Sequence, residues 1–106
     1  MGLFDFLRGT DINKGVEEWK NTPGAVLLDV RTKGEYRNGH IPGSINIPLD
    51  RIERISGRVV KKETPIFVHC LSGARSGRAV NHLKQLGYTA AKNIGGISSY
   101  RGKVEV

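Results

Sequence analysis

The sequence predicts an α/β fold, in which a small parallel central sheet of four to five strands is flanked by helices on both faces. Two nearly continuous apolar runs, at residues 25–30 and 65–70, are typical of strands buried on both faces. Segments between the predicted strands carry apolar residues at the three- and four-residue spacing of amphipathic helices. Strands that alternate with helices indicate a parallel sheet, because parallel neighbours need long crossover connections.

The first helix and the first strand are predicted within residues 10–30. Thr10 and Asp11 are candidate N-terminal caps. The apolar residues of the helix that follows recur at helical spacing and are Ile12, Val16 and Trp19. Pro23 and Gly24 end this helix, and the run over 25–30 then predicts a central strand.

Two short helices and a short strand are predicted between residues 32 and 57. Thr32 and Glu35 have the spacing of a capping box, which opens a helix that Gly39 closes. The segment 44–47 alternates like a strand, and Pro48 ends it. Apolar residues at intervals of three predict a further short helix that ends near residue 57, and they are Leu49, Ile52 and Ile55.

The second half of the chain is predicted to form a strand, a helix and a weaker last strand. The run over 65–70 is the second buried strand and ends at Cys70. A helix is predicted from Ser76, its candidate cap, with an apolar stripe of Ala79, Val80, Leu83 and Leu86. A strand is expected over 88–94, after which Gly95 and Gly96 reverse the chain into a short helical turn.

Composition excludes several classes of protein. The 106 residues include 17 Lys and Arg against 10 Asp and Glu, a formal charge of +7, and one cysteine. We expect one domain over residues 1–106, with residues 1–9 as an N-terminal lead. No apolar run approaches the ~20 residues of a membrane span, and the first residues are a poor secretory signal. One cysteine cannot form an internal disulfide or a thiolate zinc cluster. These features predict a cytoplasmic protein without a membrane partner.

The basic balance does not by itself indicate a nucleic-acid partner. Aromatic residues are 7% of the chain, and Lys and Arg are spread through every segment. No nucleic-acid recognition motif is present. We therefore expect no nucleic-acid partner, and the charge favours small anions or acidic partners.

Cys70 is the candidate nucleophile, because it lies at the carboxyl end of a predicted central strand, where α/β sheets bind ligands. The loop between it and the next helix consists of Leu71, Ser72, Gly73, Ala74, Arg75 and Ser76. A turn this short directs backbone N–H groups inward near a helix N-terminus, an arrangement that favours anions. It should lower the pKa of the thiol. Gly73 permits the curvature, and Ser72 can donate its hydroxyl inward.

Charged residues near this loop are expected to support it. Arg75 and Arg78 fall in the first turn of the helix, where a cation opposes the helix dipole. Either a carboxylate, Asp29 or Glu35, packs nearby, or an anionic substrate compensates the charge. Asp29 and Arg31 flank the end of the first buried strand, and a structural ion pair between them is favoured over direct catalysis.

Together these motifs resemble the single-domain rhodaneses, the rhodanese homology family of thiosulfate and persulfide sulfurtransferases. The resemblance extends from about Ile12 to the end of the chain. It rests on residues 28–31 with Glu35 and Tyr36, on 39–48, on the loop 70–76, and on 95–97. One departure is Tyr100, where many relatives carry tryptophan, and it affects packing more than chemistry.

The resemblance implies transfer of a sulfane sulfur through a Cys70 persulfide held by residues 71–76. The donor would be a small anion, thiosulfate or a low-molecular-weight persulfide, and the acceptor cyanide or a thiol. No metal or organic cofactor is implied. Arg75, with Ser72 and Ser76, would bind the donor anion or brace the loop.

Two alternatives stay open. Dual-specificity phosphatases of the cell-division-cycle type, and arsenate-reductase-type anion chemistry, share the fold. The phosphatases, however, have one more residue between cysteine and arginine than the four found here. His69 precedes Cys70 as in phosphatases, but in a strand its side chain points away from that of Cys70. The second alternative is a binding module or sulfur carrier that acts only when docked to a sulfur-relay protein. His40 is expected to brace its turn rather than act as a base.

Overall fold

The computed structural model describes residues 10–106, so the predicted lead at residues 1–9 lies outside the described part. Its α-helices are α1 (Ile12–Lys20), α2 (Lys33–Arg37) and α3 (Ala74–Gln85). Its strands are β1 (Val26–Asp29), β2 (Ile45–Asn46), β3 (Ile66–Cys70) and β4 (Ala91–Gly96), with 3₁₀ helices at Leu49–Gly57 and Ile97–Ser99. The four strands form one parallel sheet in the order β2-β1-β3-β4. The predicted α/β fold is confirmed.

The two apolar runs form the centre of this sheet. β1 and β3 pair in register, with Leu28 opposite Val68 and Asp29 opposite His69. Every residue of β3 is buried. This burial explains why both runs are apolar at successive positions instead of alternating with polar residues.

Helices cover both faces of the sheet, as predicted. On one face, α3 and the longer 3₁₀ helix pack on a cluster that includes Leu28, Val68 and Cys70. On the other face, α1 packs on a second cluster that includes Leu27 and Phe67. Side chains alternate between the faces along a strand, so Cys70 faces α3 while His69 faces the opposite side.

Local sequence signals account for several helix ends. Asp11 is the N-cap of α1 and accepts from the Asn13 N–H at 3.0 Å. The predicted capping box of Thr32 and Glu35 is present at the start of α2. The segment with apolar residues at intervals of three is a 3₁₀ helix, interrupted at Arg51, because that spacing matches three residues per turn.

The predicted start of α3 is wrong. The helix begins at Ala74, and its N-cap is Gly73 at φ +103°, with no side-chain capping bond. The predicted cap, Ser76, lies inside the first turn, where its hydroxyl is free to point toward Cys70. Leu86, assigned to the apolar stripe, is 39% exposed because the helix ends before it.

The predicted last strand is also displaced. β4 spans Ala91–Gly96 instead of 88–94, and Gly95 and Gly96 pair with β3 rather than reversing the chain. Tyr88 precedes the strand and is buried, with its hydroxyl donating to the Val59 carbonyl at 2.5 Å. Within residues 10–106, no helix is both long enough and apolar enough to cross a membrane.

Candidate active site

Cys70 is the last residue of β3 and lies directly before the loop that leads into α3. Its side chain is fully buried. The sulfur accepts a hydrogen bond from the Gly73 N–H at 3.0 Å and lies 3.4 Å from Ser76 Oγ. The N-cap and the first turn of α3 therefore place polar groups around the sulfur at the end of β3.

The hydrogen bonds to the sulfur change the pKa of Cys70 by more than burial does, and in the opposite direction. Burial disfavours the charged thiolate and raises the pKa of Cys70. Hydrogen bonds from the Ser76 hydroxyl and from the backbone N–H groups of Ser76, Gly73 and Ser72 lower it by more. The net pKa of Cys70 lies below its ordinary value, which favours the nucleophilic form.

The loop keeps its shape through close backbone contacts with β4 and the segment that follows it. The Leu71 carbonyl accepts from the Ser98 N–H at 3.1 Å. Gly73 adopts φ +103° and packs against Gly95, with 3.5 Å between its added Cβ position and the Gly95 Cα. The predicted role of Gly73 in the curvature agrees with this conformation. Ser72 is exposed and acts on Cys70 through its backbone N–H, not through its hydroxyl.

Arg75 is paired with Glu35 rather than directed at the sulfur. Two guanidinium nitrogens donate to the two Glu35 carboxylate oxygens at 2.8 and 3.0 Å. Mainly because of Arg75, the pKa of Glu35 falls to about 2, and the pKa of Arg75 is raised in turn. Glu35, not Asp29, is therefore the carboxylate that compensates this arginine, and the pair links α2 to α3.

Asp29 and Arg31 form the buried ion pair that the sequence favours. Arg31 donates to Asp29 from its backbone N–H at 2.9 Å and from its guanidinium at 2.8–3.1 Å. It also donates to the Gly39 carbonyl at 2.7 Å. Asn46 donates to the carbonyls of Asp29 and Arg31 at 2.9 and 3.0 Å. This network holds the loops at the carboxyl ends of β1 and β2, beside the Cys70 loop.

The two histidines closest to this region have structural contacts. His69 is buried on the face opposite Cys70, and its Nε2 lies 3.8 Å from the Asp29 carboxylate and has no hydrogen-bond partner among residues 10–106. Burial lowers the pKa of His69 and keeps the ring neutral. His40 stacks on Tyr36, and its Nδ1 lies 2.9 Å from the Tyr36 carbonyl, which agrees with its predicted bracing role.

The sequence reasoning missed Asn93 of β4. Its side chain contacts both Ser76 and Gly73, two residues that surround the sulfur. An asparagine within a strand is unusual, because the residue is depleted in strands. That mismatch is the signal from which it could have been identified.

The chain was compared with known proteins. A family model described as a rhodanese-like domain matches residues 12–103. The chain is 38% identical over 96 residues to the adenylyltransferase and sulfurtransferase uba4 of Ogataea parapolymorpha, covering 90% of this chain and 25% of that protein. It is 41% identical over 71 residues to the thiosulfate sulfurtransferase PspE of Escherichia coli, covering 66% of this chain and 68% of that protein.

Solved structures that are similar to this chain include rhodaneses. A rhodanese with anions from E. coli superposes with a TM-score of 0.71 and 35% identity, covering 76% of this chain and 96% of the other. The chain thus spans a quarter of the length of the Ogataea protein and about two thirds of PspE.

Proposed function

Because the chain belongs to the rhodanese-like domain family, we propose that it transfers a sulfane sulfur through a persulfide on Cys70. The observation that carries this proposal is the placement of the Cys70 sulfur 3.0 Å from the Gly73 N–H and 3.4 Å from Ser76 Oγ. Such donors stabilise an anionic sulfur, whether thiolate or persulfide. Residues 71–76 form the cradle, and Asp29, Arg31 and Glu35 hold the surrounding loops.

The reaction has two displacement steps. The Cys70 thiolate attacks the outer sulfur of thiosulfate, a bond forms between the two sulfurs, and sulfite leaves with the electron pair of the broken bond. An acceptor, cyanide or a thiolate, then attacks the outer sulfur of the Cys70 persulfide. Thiocyanate or an acceptor persulfide leaves, and the Cys70 thiolate is restored. Ping-pong kinetics are expected from the covalent intermediate.

The donor class is a small anionic sulfur compound, thiosulfate or a low-molecular-weight persulfide, and the cytoplasm is the proposed location. The relatives named as sulfurtransferases and the formal charge of +7 support an anionic donor. The phosphatase alternative has less support, because Arg75 is engaged by Glu35 at 2.8 Å and is not directed at the sulfur. A phosphoryl group would need that guanidinium.

A partner-dependent sulfur carrier is the second candidate. It is favoured by the Ogataea relative, which is described as both an adenylyltransferase and a sulfurtransferase and is four times as long as the matched region. In that case the donor or acceptor would be a sulfur-relay protein. The same Cys70 persulfide would form, but only from a protein donor.

The experiment is intact-mass measurement of the reduced protein after incubation with thiosulfate. We expect a gain of one sulfur atom, reversed by cyanide with release of thiocyanate and absent in Cys70→Ser. Loading by a persulfidated cysteine desulfurase, without loading by thiosulfate or glutathione persulfide, would select the carrier. Absence of an adduct with every donor, together with Cys70-dependent hydrolysis of an aryl phosphate, would replace the proposal with the phosphatase.

A further inference from the structure

Asn93 connects β4 to the two residues that donate to the Cys70 sulfur. Its Oδ1 accepts from Ser76 Oγ at 2.7 Å and from the Gly95 N–H at 3.0 Å. Its Nδ2 donates to the Gly73 carbonyl at 3.0 Å. The orientation of the amide is fixed, because a backbone N–H faces one end and a carbonyl oxygen faces the other. Asn93 therefore acts as acceptor toward Ser76 and as donor toward Gly73.

A register shift in β4 begins directly after Asn93. Asn93 is opposite Val68 while Gly95 is opposite His69, so Ile94 is an extra residue between the two pairs. Bulges of this kind redirect side chains and occur next to active sites. Here Ile94 joins the core under α1, and Asn93 remains on the α3 side beside Ser76.

The hydrogen bonds around Ser76 compete for a single proton. Ser76 Oγ lies within reach of Asn93 Oδ1 at 2.7 Å, the Gly73 carbonyl at 3.1 Å and Cys70 Sγ at 3.4 Å. A serine hydroxyl has one hydrogen to donate. When Cys70 is a thiol, its S–H can donate to Ser76 Oγ while the hydroxyl donates to Asn93. When Cys70 is a thiolate, the hydroxyl can rotate to donate to the sulfur.

The Nδ2 group of Asn93 holds the turn that carries the other donor to the sulfur. It donates at 3.0 Å to the Gly73 carbonyl, whose second lone pair can also accept from the Ser76 hydroxyl at 3.1 Å. The same bond holds the peptide carbonyl of Gly73, whose N–H contacts the sulfur at 3.0 Å. Both donors to the sulfur thus depend on one amide.

We propose that Asn93 is a positioning residue for the nucleophile, which holds the Ser76 hydroxyl and the Gly73 turn beside the Cys70 sulfur and competes with the thiolate for the single Ser76 hydrogen. The inference rests on the proposed function only in taking Cys70 as the nucleophile. Asn93 does not contact the substrate or the sulfur. It acts through Ser76 and Gly73.

The charged groups around the sulfur are left unchanged in the test. Arg75 of α3 interacts electrostatically with Cys70 and is paired with Glu35 of α2. Asp29 and Arg31 are paired with each other beyond β1. On β3, His69 faces the opposite side of the sheet, and on β4, Lys92 is paired with Glu18 of α1. A neutral substitution at Asn93 alters none of these charges.

The experiment measures the rate of alkylation of Cys70 by iodoacetamide against pH, which needs no sulfur donor. The single cysteine of the chain makes the reaction unambiguous. Asn93→Leu keeps the approximate size and removes all the amide contacts without adding charge. We expect the midpoint of the profile to fall by up to about one pH unit, because the Ser76 hydroxyl then donates to the thiolate without competition from Asn93 Oδ1, so that alkylation below the wild-type midpoint is up to about tenfold faster. A raised midpoint would contradict the proposal. Asn81→Leu, on the exposed face of α3, is the matched control and should keep the wild-type midpoint.

A double-variant cycle tests the route through Ser76. In a Ser76→Ala background, Asn93→Leu should shift the midpoint by less than it does in the wild type. A fully additive shift, or an unchanged midpoint in a folded Asn93→Leu protein, would overturn the proposal. If Asn93→Leu does not fold, the wild-type protein decides by NMR. The Asn93 side-chain amide signals should then titrate with the midpoint of Cys70 and not in Cys70→Ser, and a pH-independent signal would contradict the proposal.

Discussion

Burial and hydrogen bonding have opposite effects on the pKa of the Cys70 thiol. A buried thiol without donors would be a weak nucleophile, because burial disfavours the thiolate. Here the Gly73 N–H and the Ser76 hydroxyl approach the sulfur from the same loop. A hydrogen bond to a charged group contributes about 1.5–3 kcal/mol, so two or three such bonds can exceed the cost of burial. The lowered pKa of Cys70 follows from this balance.

Replacing Ser76 should therefore shift the ionisation of Cys70. In Ser76→Ala we expect the thiol pKa to rise by about one unit, since one charge-assisted hydrogen bond is lost. Ser72→Ala should leave the pKa unchanged, because Ser72 acts through its backbone N–H. The measurement is thiolate absorbance in the ultraviolet as a function of pH. Equal midpoints for Ser76→Ala and the wild type would show that the hydroxyl does not stabilise the thiolate.

The sequence indicates the nucleophile but not all the groups that surround it. Cys70 follows from one local pattern, an apolar strand that ends in a cysteine before a glycine-containing loop. The sequence predicts Ser76 in the loop but not its contact with the sulfur, which depends on α3 beginning two residues earlier than predicted, at Ala74. Asn93 is separated from Ser76 by 17 positions and reaches it only through the packing of α3 on β4. Contacts of that kind depend on packing between elements, which local patterns do not encode.

At the scale of elements, the position of the loop that follows Cys70, residues 71–76, depends on β4. Gly96 pairs with Cys70 at the end of the sheet. A Cβ at Gly96 would lie against the Leu71 carbonyl oxygen and 2.5 Å from the Ser72 Cα. The backbone of Gly96 has φ −126°, which any residue can adopt. The requirement for glycine is therefore steric, and it arises because the loop at residues 71–76 approaches the Gly96 backbone closely.

Gly96→Ala should displace the loop at residues 71–76. We expect a loss of about 1–3 kcal/mol in the free energy of unfolding, as for overpacking in a core, and a strong reduction of sulfur loading at Cys70. Gly34→Ala is the control, because a Cβ there meets nothing within 4 Å and alanine favours the helix. Urea unfolding and intact mass after thiosulfate treatment measure the two effects. Wild-type loading in Gly96→Ala would contradict a steric requirement.

Most elements, but not all their ends, can be predicted from the sequence. The two buried strands, α1 and the capping box of α2 follow from apolar spacing and from capping residues. The sequence pattern predicts the start of β4 three residues too early, because it places Tyr88 in the strand and predicts a chain reversal at Gly95 and Gly96. In the structure, Tyr88 fills the core beside Val59, while Gly95 and Gly96 extend the strand. Glycine has no side chain to mark a strand, so its pairing is decided by the neighbouring strand and loop.

At the scale of the whole molecule, several carboxylates are paired with cations, while the chain keeps an excess of positive charge. Asp29, Glu35 and Glu18 are each paired with a cation at 2.8 Å. The chain nevertheless carries a formal charge of +7. This surplus raises the local concentration of small anions around the molecule.

Below neutral pH, the free energy of unfolding should depend on pH in two separate windows, one due to His69 and one due to Glu35. The pKa of His69 in the folded protein lies below its ordinary value of 6.5, because burial penalises the charged ring. The unfolded chain then takes up a proton at higher pH than the folded protein does. The contribution of His69 to stability is therefore complete above pH 6.5 and falls as the pH drops below it, by at most about 1.4 kcal/mol per pH unit.

Glu35 creates the second window at lower pH. Its pKa falls from 4.5 to about 2 on folding, mainly because of Arg75, so its contribution is present above pH 4.5 and is lost as the pH falls toward 2. Both side chains of the pair are nearly a third exposed, and we therefore expect only about 1 kcal/mol from it. Its loss begins at a lower pH than the loss due to His69, because the ordinary pKa of 4.5 for Glu35 lies below that of 6.5 for His69.

Urea unfolding at a series of pH values between 8 and 3 tests both windows in one protein. His69→Gln should remove the slope below pH 6.5 while keeping the loss below pH 4.5, because the substituted side chain does not titrate. Glu35→Gln should do the reverse, so each variant is the control for the other. The slopes are compared rather than the absolute stabilities, since a buried glutamine can itself destabilise the fold. A wild-type curve that is flat between pH 7 and 5, or a slope retained in His69→Gln, would show that His69 is not the group that titrates.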